Sequence, residues 1–143
     1  MDNRNSIVDK HNEKRQKYVY YVLALAAASI AFAVNITINQ KLNNTMIVLG
    51  LAVLSWMISI YSGLKSLRYD MEYDVMNVNL LDAISGKHKD LGTHPQKIAI
   101  GVDVIGGAMN ATNTKITSFN KLQNWSLYIG TVLFIIWRIL MMM

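Results

Sequence analysis

The chain has 143 residues, of which 52% are hydrophobic and only 16% are charged. Soluble domains carry roughly 25% charged residues, so this depletion and the clustering of the apolar residues indicate a membrane protein. The formal charge of +5 is modest, and we expect no direct DNA binding from it. The chain contains no cysteine, which excludes disulfides and cysteine-ligated metal sites.

A polar leader, residues 1–17, opens the chain with five basic and three acidic residues. The first hydrophobic segment follows at residues 18–34, where alanines four apart allow another helix to approach closely. A cleaved signal peptide is the alternative interpretation, because Ala31-Phe32-Ala33 resembles a cleavage site. The long and partly acidic leader argues against cleavage, so we predict a first transmembrane helix.

The second hydrophobic segment, residues 45–63, contains no charged residue. Its length is close to the roughly 20 residues that a helix needs to cross about 30 Å of hydrocarbon. Ser55, Ser59 and Ser62 share one face of this predicted helix. We expect them to bond carbonyls of their own or a neighbouring helix, and the alternative is that they line a pore.

An amphipathic arm continues the second segment and predicts helix to about Ser85. Its apolar residues recur at threes and fours: Leu64, Leu67, Met71, Val75, Val78 and Leu81. Its carboxylates are interpreted as a solvated face: Asp70, Glu72, Asp74 and Asp82. Two glycines and Pro95 then predict a turn, with Pro95 in the first turn of the next helix and Thr93 or His94 as its cap.

After Pro95 the apolar residues fit two different periodicities, that of a strand and that of a helix. Residues 97–105 alternate like a strand, but the apolar residues of 98–119 also fit a helix. We favour helix because a strand would have no partner here. Three glycines oppose it at about 1 kcal/mol each, so a weak point is expected at Gly106-Gly107. The arms 64–85 and 96–124 would then pack as an antiparallel hairpin through their apolar faces.

The third hydrophobic segment is residues 125–143, where Trp125 and Trp137 suit the two membrane interfaces. Basic residues number five in the leader, one in the 35–44 connector and seven in 64–124. The positive-inside rule therefore places the leader and the hairpin in the cytoplasm. The predicted fold is an all-α membrane protein with three transmembrane helices and a cytoplasmic antiparallel helical hairpin between the second and third.

A polar stripe recurs at helical spacing along the C-terminal part and enters the third segment. Its pore-lining candidates are Asn113, Thr117, Asn120, Asn124, Tyr128, Thr131 and Arg138. Such a stripe needs a partner helix, a water-filled cavity or snorkelling. The alternative is that the Asn and Thr residues face the cytoplasm, Thr131 bonds its own backbone and Arg138 snorkels to the outer headgroups.

The turn between the arms is basic and is a candidate site for an anionic signal such as a nucleotide, or for an acidic partner. Its residues are Lys87, His88, Lys89, His94 and Lys97. A solvated loop tip is the alternative. The sequence shows no catalytic constellation, no metal-ligand spacing and no phosphate-binding loop, so we expect no enzyme, no metal and no cofactor.

Four features of about the first 85 residues occur together: the basic run Lys14-Arg15-Gln16-Lys17, a tyrosine- and alanine-rich first span, a polar connector, and a second span continued by a charged helix. This layout resembles small bacterial membrane effectors of anti-phage defence, the SLATT-like group. The third span departs from the two-span layout of that group.

The resemblance implies a homo-oligomer in the bacterial inner membrane that permeabilises it on infection. It also implies control by a nucleotide or a cytoplasmic regulatory protein. The expected function is therefore an oligomeric channel or membrane-permeabilising effector. The alternatives are a non-catalytic scaffold or accessory subunit, and a holin-like lysis protein.

Overall fold

The structure, a computed structural model, describes residues 2–38, 40, 43–89 and 94–142, and only the backbone of residues 2–12. Three helices make up the fold: α1 Asp2–Thr37, α2 Met46–Ile84 and α3 Pro95–Met142. The described ranges contain no strand, and residues 97–105 lie in α3. The helical interpretation of that segment is therefore confirmed, and the helix continues without interruption through Gly106-Gly107.

All three helices are long and apolar enough to cross a membrane, with the α1 candidate span at Glu13–Thr37. At about 1.5 Å per residue, the 39 residues of α2 extend roughly 58 Å and the 48 residues of α3 roughly 72 Å. A hydrocarbon layer is only about 30 Å thick. Both α2 and α3 are therefore much longer than any layer they cross.

The turn that ends α2 follows the sequence prediction closely. Gly86 has a φ of 70°, a left-handed conformation that glycine adopts at little cost. The amide of Lys87 donates to the carbonyl of Asp82 at 2.9 Å, and the amide of Gly86 donates to that of Ala83 at 3.1 Å. This pair of bonds is the Schellman motif, which satisfies the last carbonyls of a helix.

The first residue of α3 is Pro95, as predicted. Its missing amide hydrogen costs nothing there, because the first turn of a helix has no internal acceptor for it. The amide of Ile98 donates to the carbonyl of His94 at 3.0 Å, which makes His94 the N-cap residue. Thr93, the other predicted cap, lies outside the described residues.

The chain divides into two compact units by its contacts. Unit 1 comprises Met1–Leu64 and Phe119–Met143, and all three helices contribute to its core. An aromatic cluster occupies part of that core: the ring centroids of Trp56 and Phe134 are 5.7 Å apart, and those of Phe134 and Trp137 are 5.5 Å apart. Trp137 is 0% exposed, so the prediction that its indole faces a membrane interface is wrong.

Unit 2 comprises Lys65–Ser118 and contains the C-terminal half of α2 and the N-terminal half of α3. Met76 of α2 contacts Thr112 of α3, and the Lys115 ammonium lies 5.4 Å from the Tyr69 ring centroid. The apolar residues Met109 and Ile116 of α3 are buried, as their helical spacing predicts.

The apolar residues of α2 in unit 2 are not buried against α3. Met71, Val75, Val78 and Leu81 are 57–62% exposed. The prediction that they close the hairpin is therefore wrong. In this unit the α2 side chains that contact α3 are instead Tyr69 and Met76. Asp70 is only 4% exposed, which also contradicts its assignment to a solvated face.

Candidate functional site

A polar layer lies inside unit 1, where α2 faces α3. The Ser55 hydroxyl donates to the Ser126 carbonyl at 2.7 Å, and the Ser59 hydroxyl donates to the Gln123 carbonyl at 2.9 Å. Ser62 instead donates to Ile58 of its own helix at 2.8 Å. The expectation that these serines bond carbonyls is confirmed, and the bonds of Ser55 and Ser59 join α2 to α3.

Gln123 marks the point where all three helices of unit 1 meet. Its side chain is 1% exposed, and Nε2 donates to the Val19 carbonyl of α1 at 3.4 Å. A Cβ added at Gly63 of α2 would lie 2.6 Å from that Nε2 and 2.9 Å from Cδ2 of Leu23. The absence of a side chain at Gly63 therefore permits this crossing. No local pattern in the sequence indicates Gln123, because its neighbours Gly63 and Val19 are 60 and 104 positions away along the chain.

The predicted polar stripe lies on one face of α3. At about 100° per residue, Asn113, Thr117, Asn120, Asn124, Tyr128 and Thr131 fall within a sector of roughly 80°. Buried residues of the same helix, such as Ile116 and Gln123, are centred roughly 100° away. The six residues therefore lie beside the packed face of α3 rather than on it.

Most of the stripe is exposed in the single chain. Asn113, Thr117, Tyr128, Thr131 and Arg138 are exposed, while Asn120 and Asn124 are half-buried. The Tyr18 hydroxyl of α1 donates to Oδ1 of Asn124 at 3.3 Å. One chain thus aligns the candidates without enclosing a channel.

Two threonines of the stripe bond their own helix. Thr117 donates to the Asn113 carbonyl at 3.0 Å, and Thr131 donates to the Leu127 carbonyl at 2.9 Å. This confirms the backbone bond that the alternative interpretation gives to Thr131. The hydroxyl oxygen of each threonine keeps lone pairs that can accept a bond from water.

The basic turn in unit 2 gathers three of its five predicted residues. Lys87, His88 and Lys89 line an open cavity of about 310 Å³ together with Asn79 and Asp82. The lysines are exposed and His88 is half-buried. Asp82 offsets part of the positive charge. His94 and Lys97 are exposed but do not line this cavity, and residues 90–93 lie outside the described part of the chain.

Within the described residues, no group of three or more histidine, aspartate or glutamate side chains could hold a metal ion. No protein-family model matches the chain, and neither a curated protein nor a solved structure matches it. The geometry of the helices and the sequence pattern therefore carry the functional argument.

Proposed function

We propose that the protein is an oligomeric membrane channel or membrane-permeabilising effector. In this proposal several copies gather in a membrane with the polar stripe of α3 toward a shared axis. The observation that carries the proposal is the exposure of that stripe along a helix long and apolar enough to span. The resemblance of the first 85 residues to anti-phage effectors supports a role in bacterial defence.

The polar stripe has a different energetic cost in water and in a bilayer. Outside a membrane, exposed asparagine and threonine need no explanation. Toward the bilayer centre, polar groups are costly unless they meet a partner or water, and they usually face a bundle interior or a wet cavity. Tyr128 and Thr131 lie in the hydrophobic segment and are exposed in the single chain. Neutral hydroxyl groups hydrate ions without holding them tightly, which suits a conduction path.

The proposed orientation places the leader and residues 64–124 in the cytoplasm, with the latter forming an antiparallel hairpin. The distribution of basic residues supports this orientation. The cavity at Lys87, His88 and Lys89 is the proposed receptor of a regulatory nucleotide or partner protein. Binding there would control whether the path conducts.

The decisive experiment compares two neighbouring positions in the third segment. Because the chain has no cysteine, Thr131→Cys and Val132→Cys each introduce a single thiol. Both positions are exposed, but they lie about 100° apart around α3. A charged thiol reagent should block currents of the Thr131 variant roughly tenfold faster than those of the Val132 variant, since only a wet path stabilises the charge. Equal rates in conducting oligomers would remove the stripe from the path.

The other two functions are distinguishable outcomes. A scaffold or accessory subunit predicts no current from the purified oligomer and no loss of membrane potential in cells that overproduce it. A holin-like protein predicts depolarisation by this chain alone. An effector under partner control predicts depolarisation only when the neighbouring regulatory gene product is also present.

A further inference from the structure

Two opposite faces of α2 differ sharply within unit 2. One contacts α3 and includes Tyr69 and Met76. The other, which we name the back stripe, consists of Met71, Val75, Val78 and Leu81, each more than half exposed. At about 100° per residue the two faces are centred roughly 180° apart. The back stripe therefore points away from the only helix that unit 2 places beside α2.

The back stripe has the spacing of a helix–helix seam. Met71 and Val78 are seven apart, and Val75 and Leu81 fall at steps of three and four from them. Such spacing is typical of a face that packs on another helix. Four side chains exposed to this degree present on the order of 400 Å², an apolar patch large enough in a soluble region to mark an interaction site.

A second apolar face lies on the far side of α3 in the same unit. We name it the outer α3 face: Ile100, Val104, Gly107 and Ala111, all exposed and all remote from the buried Met109 and Ile116. Nothing lies within 4 Å of a Cβ built at Gly107. This face is therefore open and shallow at its centre.

The two faces lie at the same height in unit 2. The contacts of Met76 with Thr112 and of Tyr69 with Lys115 put Val75 level with residues near 111 of α3. When copies are related by rotation about an axis along the membrane normal, equivalent residues lie at the same level along that axis. Val75 and Val78 of one copy would thus meet Gly107 and Ala111 of the next, so that large side chains face small ones.

Charge decides between the two ways of pairing copies. Glu72 is paired with Arg68 at 3.3 Å. No basic residue follows Arg68 in α2, and the exposed Asp74 and Asp82 interrupt the back stripe. Two back stripes placed face to face would bring these carboxylates together, which is unfavourable. Residues 95–118 of α3 carry two lysines and one aspartate instead. The outer α3 face is therefore the better partner.

We infer that the back stripe of one copy packs on the outer α3 face of the next copy, head to tail. Contacts of this kind close into a ring when the rotation between copies allows it. The polar stripe of α3 lies roughly perpendicular to the line from α2 to α3, so a ring that curves toward that side turns the stripe toward its axis. The inference rests on the oligomer of the proposed function and names the surfaces that join its copies.

The test uses pairs of single thiols in the cysteine-free chain. Differently tagged copies carrying Val75→Cys and Ala111→Cys are produced together and oxidised in the membrane. The matched control replaces Val75→Cys by Asn77→Cys, which is also exposed on α2 but lies about 160° around the helix from Val75. We expect a disulfide between the two tags at least roughly tenfold more abundant than in the control, because the bond needs Cβ atoms within about 4.5 Å. A chain carrying both thiols should give a series of disulfide-linked species on a non-reducing gel, the largest of which contains as many copies as the oligomer.

Three results would overturn the contact. They are a Val75 thiol that links mainly to itself, equal yields with the Asn77 control, and no linked product. A second variant, Val75→Asp with Val78→Asp, changes only exposed positions and should shift the purified protein to a smaller species. If the disulfide does not form but the thiol reagent still blocks current through the Thr131→Cys variant, this contact alone is refuted. Loss of both current and oligomer refutes the proposed function as well.

Discussion

At the scale of single residues, polar groups inside unit 1 are satisfied in two different ways. Ser59 and Ser62 are both 0% exposed. Ser59 donates across to α3, whereas Ser62 donates back to its own helix. Only the first kind of bond favours the association of two helices. Burial alone therefore does not indicate which serine holds the bundle together.

Replacing these serines by alanine separates the two roles. We expect Ser59→Ala to lower the free energy of unfolding by about 0.6 kcal/mol and by no more than about 1.7 kcal/mol, the range measured for interhelical hydrogen bonds in membranes. Ser62→Ala should change it by clearly less, because no bond between helices is lost. Unfolding of the purified protein in mixed micelles by a denaturing detergent measures both. A larger loss for Ser62→Ala would contradict the assignment.

At the scale of helices, glycines set how closely they pack in unit 1. A Cβ at Gly130 of α3 would lie 2.6 Å from the Trp56 indole and 3.1 Å from the Ala52 carbonyl oxygen of α2. Gly63 is equally confined by Gln123 and Leu23. Gly50 has nothing within 4 Å of the corresponding position. Glycine is therefore required by the packing at positions 63 and 130, whereas position 50 has room for a side chain.

Alanine substitution at these glycines should give opposite signs. Gly63→Ala and Gly130→Ala force Gln123 or Trp56 to move, and we expect each to destabilise by about 1–3 kcal/mol. Gly50→Ala adds no clash and should be neutral or stabilise by up to about 1 kcal/mol through its helix propensity. Thermal aggregation of the detergent-solubilised variants ranks them. Equal melting temperatures for all three would show that the crossings tolerate a methyl group.

The sequence predicted the helices better than their contacts. Hydrophobic length gave the three candidate spans, and the turn chemistry of Gly86 and Pro95 placed the ends of α2 and α3 to within a residue or so. Periodicity shows which residues share a face, but it does not show what covers that face. Periodicity therefore predicts the back stripe in the hairpin interior, whereas the described contacts to α3 come from Tyr69 and Met76 on another side of α2.

The candidate site could be predicted only in part, because periodicity shows which residues share a helix face but not which other helices they contact. The helical period correctly grouped the polar stripe of α3. The period does not indicate Gln123, because its burial depends on Val19 and Gly63, which belong to other helices. The misassigned Trp137 has the same origin, since its full burial depends on a core to which all three helices contribute.

At the scale of the whole molecule, three candidate spans connected by two links place consecutive links on opposite sides of a membrane. The link between α1 and α2 carries a single basic residue, Lys41, whereas the region between the second and third spans carries seven. This asymmetry predicts that the first link is outside and the second inside.

Single thiols at Asn44 and Lys89 test this topology, since both positions are exposed. A membrane-impermeant maleimide should label Asn44→Cys in intact spheroplasts. It should label Lys89→Cys only after permeabilisation. The parent chain, which has no cysteine, gives the background. Labelling of the Lys89 variant in intact spheroplasts would invert the proposed orientation and move the basic turn away from any cytoplasmic signal.

The back-bonded hydroxyls bear on how the chain is inserted during synthesis. Ser29, Ser62 and Thr131 each donate to a carbonyl of their own helix, so these groups are satisfied before any other helix arrives. Gln123 is different, because the described partner of its side-chain amide is a carbonyl of α1. The Ser29 hydroxyl of the first span is therefore satisfied when that span enters the bilayer alone. Ser55 and Ser59 of the second span, and the Gln123 amide of α3, gain their described partners only when the helices have come together.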